Sequence, residues 1–263
     1  MSFETISITT DERGVSTLTL DRADKHNALS AVMIDELTAA AAQLANDPAV
    51  RVVILTGSGA SFCAGGDLGW MREQFHADRA TRMAEARKLA RMLKALNELP
   101  KPLIARVQGQ AFGGGIGMMS VCDTVVAVDS AKFGLTEVRL GLIPATISPY
   151  VLARMGEGNA RRVFMSARLF GAEEAKDLGL VARVTDMNDL DQAIEAEIKP
   201  YLSAAPAAVA ASKALARSLG PVISEDVIED TVNRLADTWE TPEAQEGISA
   251  FFNKRKPSWV IKN

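Results

Sequence analysis

Polar and apolar residues alternate through Ile6, Ile8, Val15, Leu18 and Leu20, with Asp11-Glu12-Arg13-Gly14 between them, a pattern that predicts a β-hairpin. Ser30 then suits a helix N-cap, and Met33, Leu37 and Leu44 at roughly helical spacing predict a helix from Ala31 to about Ala45. Val50 to Thr56 is dominated by Val, Ile and Leu and ends at Gly57-Ser58-Gly59, as expected of a strand buried on both faces. A loop from Ala60 to Asp67 follows. Leu68 to Leu99 reads as one long helical stretch, stopped by Pro100 and Pro102. Leu103 to Gln108 predicts another short strand, Gly113-Gly114-Gly115 opens a helix through Val121, and Thr124 to Val128 returns to strand.

Strands and helices that alternate with short connections predict a layered α/β domain with largely parallel pairing. From about Leu190 the chain turns helical, through the Ala-rich Ala204 to Leu219 and the charged Ser224 to Trp239. No Gly/Ser-rich or Pro-rich linker divides the two parts, so the C-terminal helices should pack on the same core or on a neighbouring subunit.

Composition narrows the function classes. With 263 residues, 48% of them hydrophobic and 24% charged, the chain can bury a large core. Its formal net charge of −4 argues against a nucleic-acid surface, which needs clustered Lys and Arg. No stretch reads as a membrane span, and Met1 to Thr5 lacks the basic start of a leader, so neither membrane insertion nor export is expected. Cys63 and Cys122 read as free thiols and suggest a reducing cytoplasm. Two histidines, His26 and His76, cannot make a three-His metal site, and no metal is expected.

Two glycine-rich places carry candidate chemistry, Cys63-Ala64-Gly65-Gly66-Asp67 and Gly109 to Gly115, each just after a predicted strand. Glycine leaves the backbone open, and a helix that starts at Gly114 directs unpaired amides and its positive dipole end outward. That is one way to build an oxyanion hole from main chain; tight βα turns are the plainer reading. Neither G-x-G-x-x-G spacing nor a Gly-Lys-Ser/Thr triplet is present, and G-x-S-x-G is missing too. Glu137 stands in a mostly apolar stretch, Phe133 to Pro144. Buried, it would serve as an acid/base near neutral pH; exposed, it would pair with Arg139 or a helix N-terminus.

Taken in order, Asn27-Ala28-Leu29, Phe62 to Leu68, Gly113-Gly114-Gly115 with Cys122-Asp123, Glu137 before Gly141-Leu142-Ile143-Pro144, and Ala172-Glu173-Glu174-Ala175 with Gly179-Leu180-Val181 resemble the crotonase (enoyl-CoA hydratase/isomerase) family over nearly the whole chain. The resemblance implies an α/β fold, a spiral of ββα units over residues 1–195, with C-terminal trimerisation helices over 196–263. It also implies an acyl-CoA thioester substrate, no cofactor beyond the coenzyme A of that substrate, and a homotrimer or dimer of trimers. Gly66 and Gly114 match the amides of the family's oxyanion hole, and Glu137 matches an acid/base. Lys25, Ala28, Ala64, Gly65, Asp67 and Leu68 match coenzyme A and acyl-chain contacts. Phe251 and Lys254 match a C-terminal segment that reaches the coenzyme.

One position departs from the pattern: Gly117 stands where typical hydratases place a second glutamate. Its missing side chain would leave room and remove a negative charge beside the reacting carbon, which favours a substrate with a second carboxylate; close helix packing is the other reading. The segment Thr136 to Val151 looks most like the bacterial methylglutaconyl-CoA hydratase branch of leucine breakdown. The expected function is therefore hydration or dehydration across the 2,3 double bond of an enoyl-CoA, with methylglutaconyl-CoA as the substrate that the resemblance implies. A single-glutamate double-bond isomerase is the alternative enzyme, and a non-catalytic acyl-CoA- or RNA-binding relative is the alternative of another class.

Overall fold

A computed structural model describes residues 3–261; Met1, Ser2, Lys262 and Asn263, including the start of the segment read for a leader, lie outside the described residues. The expected hairpin forms from β1 (Ile6–Thr10) and β2 (Val15–Leu20), with Ile6 opposite Leu20 and Thr10 opposite Ser16. Its turn is held by the Asp11 carboxylate, which accepts the N–H groups of Arg13 and Val15. Ser30 Oγ accepts the Met33 N–H and starts α1 (Ala31–Asn46), which buries Met33, Ile34, Leu37 and Leu44 as one stripe.

Three strand–strand–helix units follow. The first joins β3 (Val52–Gly57), buried at every residue, to β4 (Ser61–Cys63) and the helices α2 (Leu68–His76) and α3 (Arg79–Asn97). The single helical stretch expected from Leu68 to Leu99 is thus two helices. Asp78 breaks it, because its carboxylate accepts the Thr81 N–H and caps α3 while Ala77 stays extended. The second unit is β5 (Leu103–Val107), β6 (Gln110–Phe112) and α4 (Gly114–Val121). The third is β7 (Thr124–Val128), β8 (Lys132–Gly134), a 3-10 turn (Glu137–Leu140), α5 (Ser148–Met155) and α6 (Glu157–Phe164). β9 (Phe170–Gly171), α7 (Ala172–Asp177) and β10 (Arg183–Thr185) complete the strands.

Each unit contributes its first strand to one sheet and its second to another. The larger sheet runs β1-β2-β3-β5-β7-β10, parallel except for the opening hairpin, and the smaller runs β4-β6-β8-β9. Short loops therefore leave β4, β6 and β8 on one side of the molecule and collect there.

The C-terminal helices divide their roles. α8 (Leu190–Leu202) crosses the expected 195/196 boundary, and α9 (Pro206–Leu219) buries none of its residues. α10 (Glu225–Trp239) lies on α3, where Glu229 takes both Nε and Nη2 of Arg87. α11 (Pro242–Phe252) closes on the 3-10 turn: a Cβ placed on Gly247 would stand 2.5 Å from the Leu140 carbonyl. Among the described residues no helix is long and apolar enough to cross a membrane.

Candidate active site

Two backbone turns come together beneath a cavity. After β4, Leu29 donates its N–H to the Gly65 carbonyl at 2.7 Å and Asp67 donates to the Leu29 carbonyl at 2.9 Å. This ladder passes over the Gly66 N–H, which has no acceptor among the described residues. After β6, Gly113 takes φ 46° and ψ −112°, a conformation that favours glycine, and donates to the Gly134 carbonyl at 3.1 Å. Gly114 is the first residue of α4, so its N–H lacks an intrahelical partner. The two turns touch: a Cβ on Gly65 would meet the Phe112 carbonyl oxygen at 3.2 Å, and one on Gly113 would stand 2.9 Å from Glu137 Oε1.

Glu137 opens the 3-10 turn that follows β8. Its Oε2 is shut off from solvent and bonded to nothing among the described residues. Burial pushes the carboxyl up from its ordinary 4.5 to about 7, opposed only by the residue's own backbone N–H. No neighbouring charge contributes, so the reading of a surface carboxylate paired with Arg139 does not hold. The group is held where proton gain and loss are nearly balanced at neutral pH.

The cavity above these turns measures about 590 Å³. Ala64, Gly65, Gly66, Leu68, Gly114, Glu137 and Phe251 of the expected residues line it. Lys25, Ala28, Asp67, Gly117 and Lys254 do not. Lys25 and Ala28 belong to the segment that pairs with the Ala64–Asp67 loop, where Ala64 donates to the His26 carbonyl. Asp67 is turned to structural use: its carboxylate accepts from Gly69, Trp70 and Arg22 and caps α2. Lys254 lies past the end of α11 with φ 51°. Gly117 faces away from any open space, since a Cβ there would stand 2.6 Å from Ile147 Cγ2 and 3.5 Å from Leu93 Cδ1. The room expected beside it is filled by Ile147.

Several lining residues carried no signal in the sequence. Trp70, Met71 and Gln74 form one face of α2, and Arg82, Ala86 and Leu89 one face of α3. Their spacing is that of any amphipathic helix, and periodicity does not distinguish a cavity wall from a core.

The Enoyl-CoA hydratase/isomerase family model matches residues 10–262. The chain belongs to the enoyl-CoA hydratase/isomerase family. Within it, a crotonyl-CoA hydratase of Syntrophomonas wolfei is 31% identical over 264 residues, covering 100% of both chains. A solved enoyl-CoA hydratase from Shewanella pealeana is 40% identical with a TM-score of 0.80, covering 98% of this chain and 96% of that one. Another, from Mycobacterium avium, is 31% identical with a TM-score of 0.85, covering 97% and 99%. The protein is thus an enzyme of the hydratase/isomerase family, with the spiral fold that the ordered motifs implied.

Proposed function

We propose that the protein adds water to, or removes it from, the 2,3 double bond of an enoyl-CoA. The observation that carries this is the Glu137 carboxyl, buried, unpartnered and titrating near 7, against a glycine turn at the floor of the cavity. In the hydration direction the Glu137 carboxylate takes a proton from water as the water oxygen bonds to C3. The π electrons shift to the thioester oxygen, where the N–H groups of Gly66 and Gly114 hold the enolate charge. Glu137, now protonated, returns the proton to C2 as the carbonyl re-forms. Two amides and one carboxyl supply all of this chemistry, and the coenzyme A enters as part of the substrate.

The resemblance of Thr136 to Val151 makes methylglutaconyl-CoA the substrate of choice in this proposal, and relatives named as hydratases support the reaction type. The free, buried thiols of Cys63 and Cys122 fit a cytoplasmic enzyme. A homotrimer or dimer of trimers would cover the exposed apolar residues of α9. The second reading is a double-bond isomerase, favoured by the presence of one carboxylate on the cavity wall: Glu137 would take a proton from one carbon and return it to another. Mass spectrometry of products from a panel of enoyl-CoA thioesters decides between them. A gain of 18 mass units supports hydration; an isomeric product without that gain rejects it in favour of isomerisation.

A further inference from the structure

Water that adds to a double bond has to be aimed as well as deprotonated. Glu137 takes one of its protons and the Gly66 and Gly114 amides hold the enolate charge, but none of these groups fixes the second O–H of the water. The cavity wall carries a hydroxyl that can. Thr146 borders the cavity and is 5% exposed. Its Oγ1 has no hydrogen-bond partner among the described residues, yet it is not one of the unpartnered atoms sealed from solvent, which are Ser58 Oγ, Gln74 Oε1 and Glu137 Oε2. The hydroxyl therefore keeps a little accessible surface, and the open space that Thr146 borders is the cavity. Buried hydroxyls are normally bonded, so one left open there calls for a partner from outside the chain. The wall's other hydroxyl, on Thr136, is the more exposed of the two.

The main chain fixes the place of Thr146. It lies in the turn before α5, where Ser148 donates its N–H to the Ala145 carbonyl at 3.1 Å and its Oγ–H to the Pro144 carbonyl. Its neighbour Ile147, buried, fills the space beside Gly117 of α4. Gly117 donates its N–H to the carbonyl of Gly113 at 3.1 Å, one helical turn back, and Gly113 is the residue against which Glu137 Oε1 rests. Glu137 and the Thr146–Ile147 pair thus flank successive turns of α4, about 6 Å apart along its axis. One water with a hydrogen bond of about 2.8 Å on each side bridges such a spacing.

We propose that Thr146 is a second catalytic residue, whose Oγ1 accepts one O–H of the attacking water while Glu137 accepts the other. Held at both hydrogens, the water turns a lone pair of its oxygen toward C3. The proton taken by Glu137 goes on to C2. The O–H held by Thr146 is not broken, and it becomes the C3 hydroxyl of the product.

This role rests on the hydration proposed above. Thr146→Val keeps the shape of the side chain and deletes the hydroxyl, whereas Thr146→Ser keeps the hydroxyl. With the enoyl-CoA hydrated fastest in the panel, Thr146→Val should lower kcat by about tenfold or more, the scale of one lost hydrogen bond, and Thr146→Ser by no more than about threefold. Butyryl-CoA is saturated and takes no water, so calorimetry should find it bound equally by wild type and Thr146→Val. The valine variant should also melt at or above the wild type, because it removes a hydroxyl that the fold leaves unbonded. Wild-type kcat in Thr146→Val, a Thr146→Ser enzyme as slow as Thr146→Val, a loss of kcat matched by weaker binding of butyryl-CoA, or a lower melting temperature in Thr146→Val overturns the role and leaves hydration standing. A wild type that hydrates none of the panel overturns the two together.

Discussion

Glu137 concentrates the chemistry and also a stability cost. In the unfolded chain it titrates near its ordinary 4.5, and in the folded protein near 7. Between those values the folded state holds a proton that the unfolded state has released, so stability declines as pH rises through that window. Above it the full gap applies, roughly 3 kcal/mol at about 1.4 kcal/mol per unit. Glu137→Gln, neutral throughout, should therefore melt above the wild type at pH 8 and converge with it below pH 4, while losing most turnover. A melting difference that does not change with pH would remove the carboxyl from this role, as would near-wild-type turnover. Gly66 offers a second test. A Cβ there meets Met71 Cγ at an ordinary 3.6 Å, whereas one on Gly114 would collide with Leu29 Cδ1 at 2.6 Å. Gly66→Pro is thus the cleaner way to delete an amide, and should lower kcat by about 100-fold with an unchanged circular dichroism spectrum. At this scale the sequence marked Glu137, Gly66 and Gly114 through motif order. It left two readings of Gly117 open, and the close-packing one holds, because what fills the space beside a glycine is decided here by Ile147, thirty positions away.

Among the elements, strands and caps were legible because their causes are local. β3 announces itself by its apolar run, and α1 by Ser30. The division of α2 from α3 was hidden because Ala77 is itself a good helix former, and the break depends on Asp78 choosing the Thr81 amide. The contact of α11 with the Glu137 turn was also unreadable, since it joins residues more than a hundred apart. It sets a requirement on that helix. A Cβ on Gly247 would come within 2.5 Å of the Leu140 backbone and 2.8 Å of the Trp259 ring, and one on Gly141 within 2.6 Å of Glu243. Gly247→Ala should push α11 away from the turn, at about 1–3 kcal/mol, the usual cost of overpacking. Loosening the turn lets water reach Glu137, so the apparent pKa in the kcat/KM profile should move down from about 7 toward the carboxylate range. A variant that is less stable but keeps its pH profile would show that α11 supports the fold without shaping the acid/base.

For the whole molecule, α9 poses the question of association. It buries none of its residues, and on and just after it Leu215, Leu219 and Val222 are 61%, 80% and 71% exposed. Polar contacts tie its inner side to the core, where Lys213 Nζ reaches Asp123 Oδ2 at 2.7 Å and the Lys101 carbonyl at 3.1 Å. Those contacts fix the helix without hiding its apolar side. An isolated helix of this length is marginal in water, and an exposed apolar strip on a fixed helix is the kind of surface that another subunit covers. Closed symmetric assembly would then place the strip of each copy against its neighbour and leave the cavity mouth, on the loop side of the smaller sheet, free for the thioester. Light scattering at micromolar concentration should return three or six times the chain mass. Leu219→Glu would bury a charge in that contact and should shift the population toward the monomer, with the far-ultraviolet circular dichroism retained. A wild-type monomer, or a Leu219→Glu assembly indistinguishable from wild type, would rule out α9 as the joining surface.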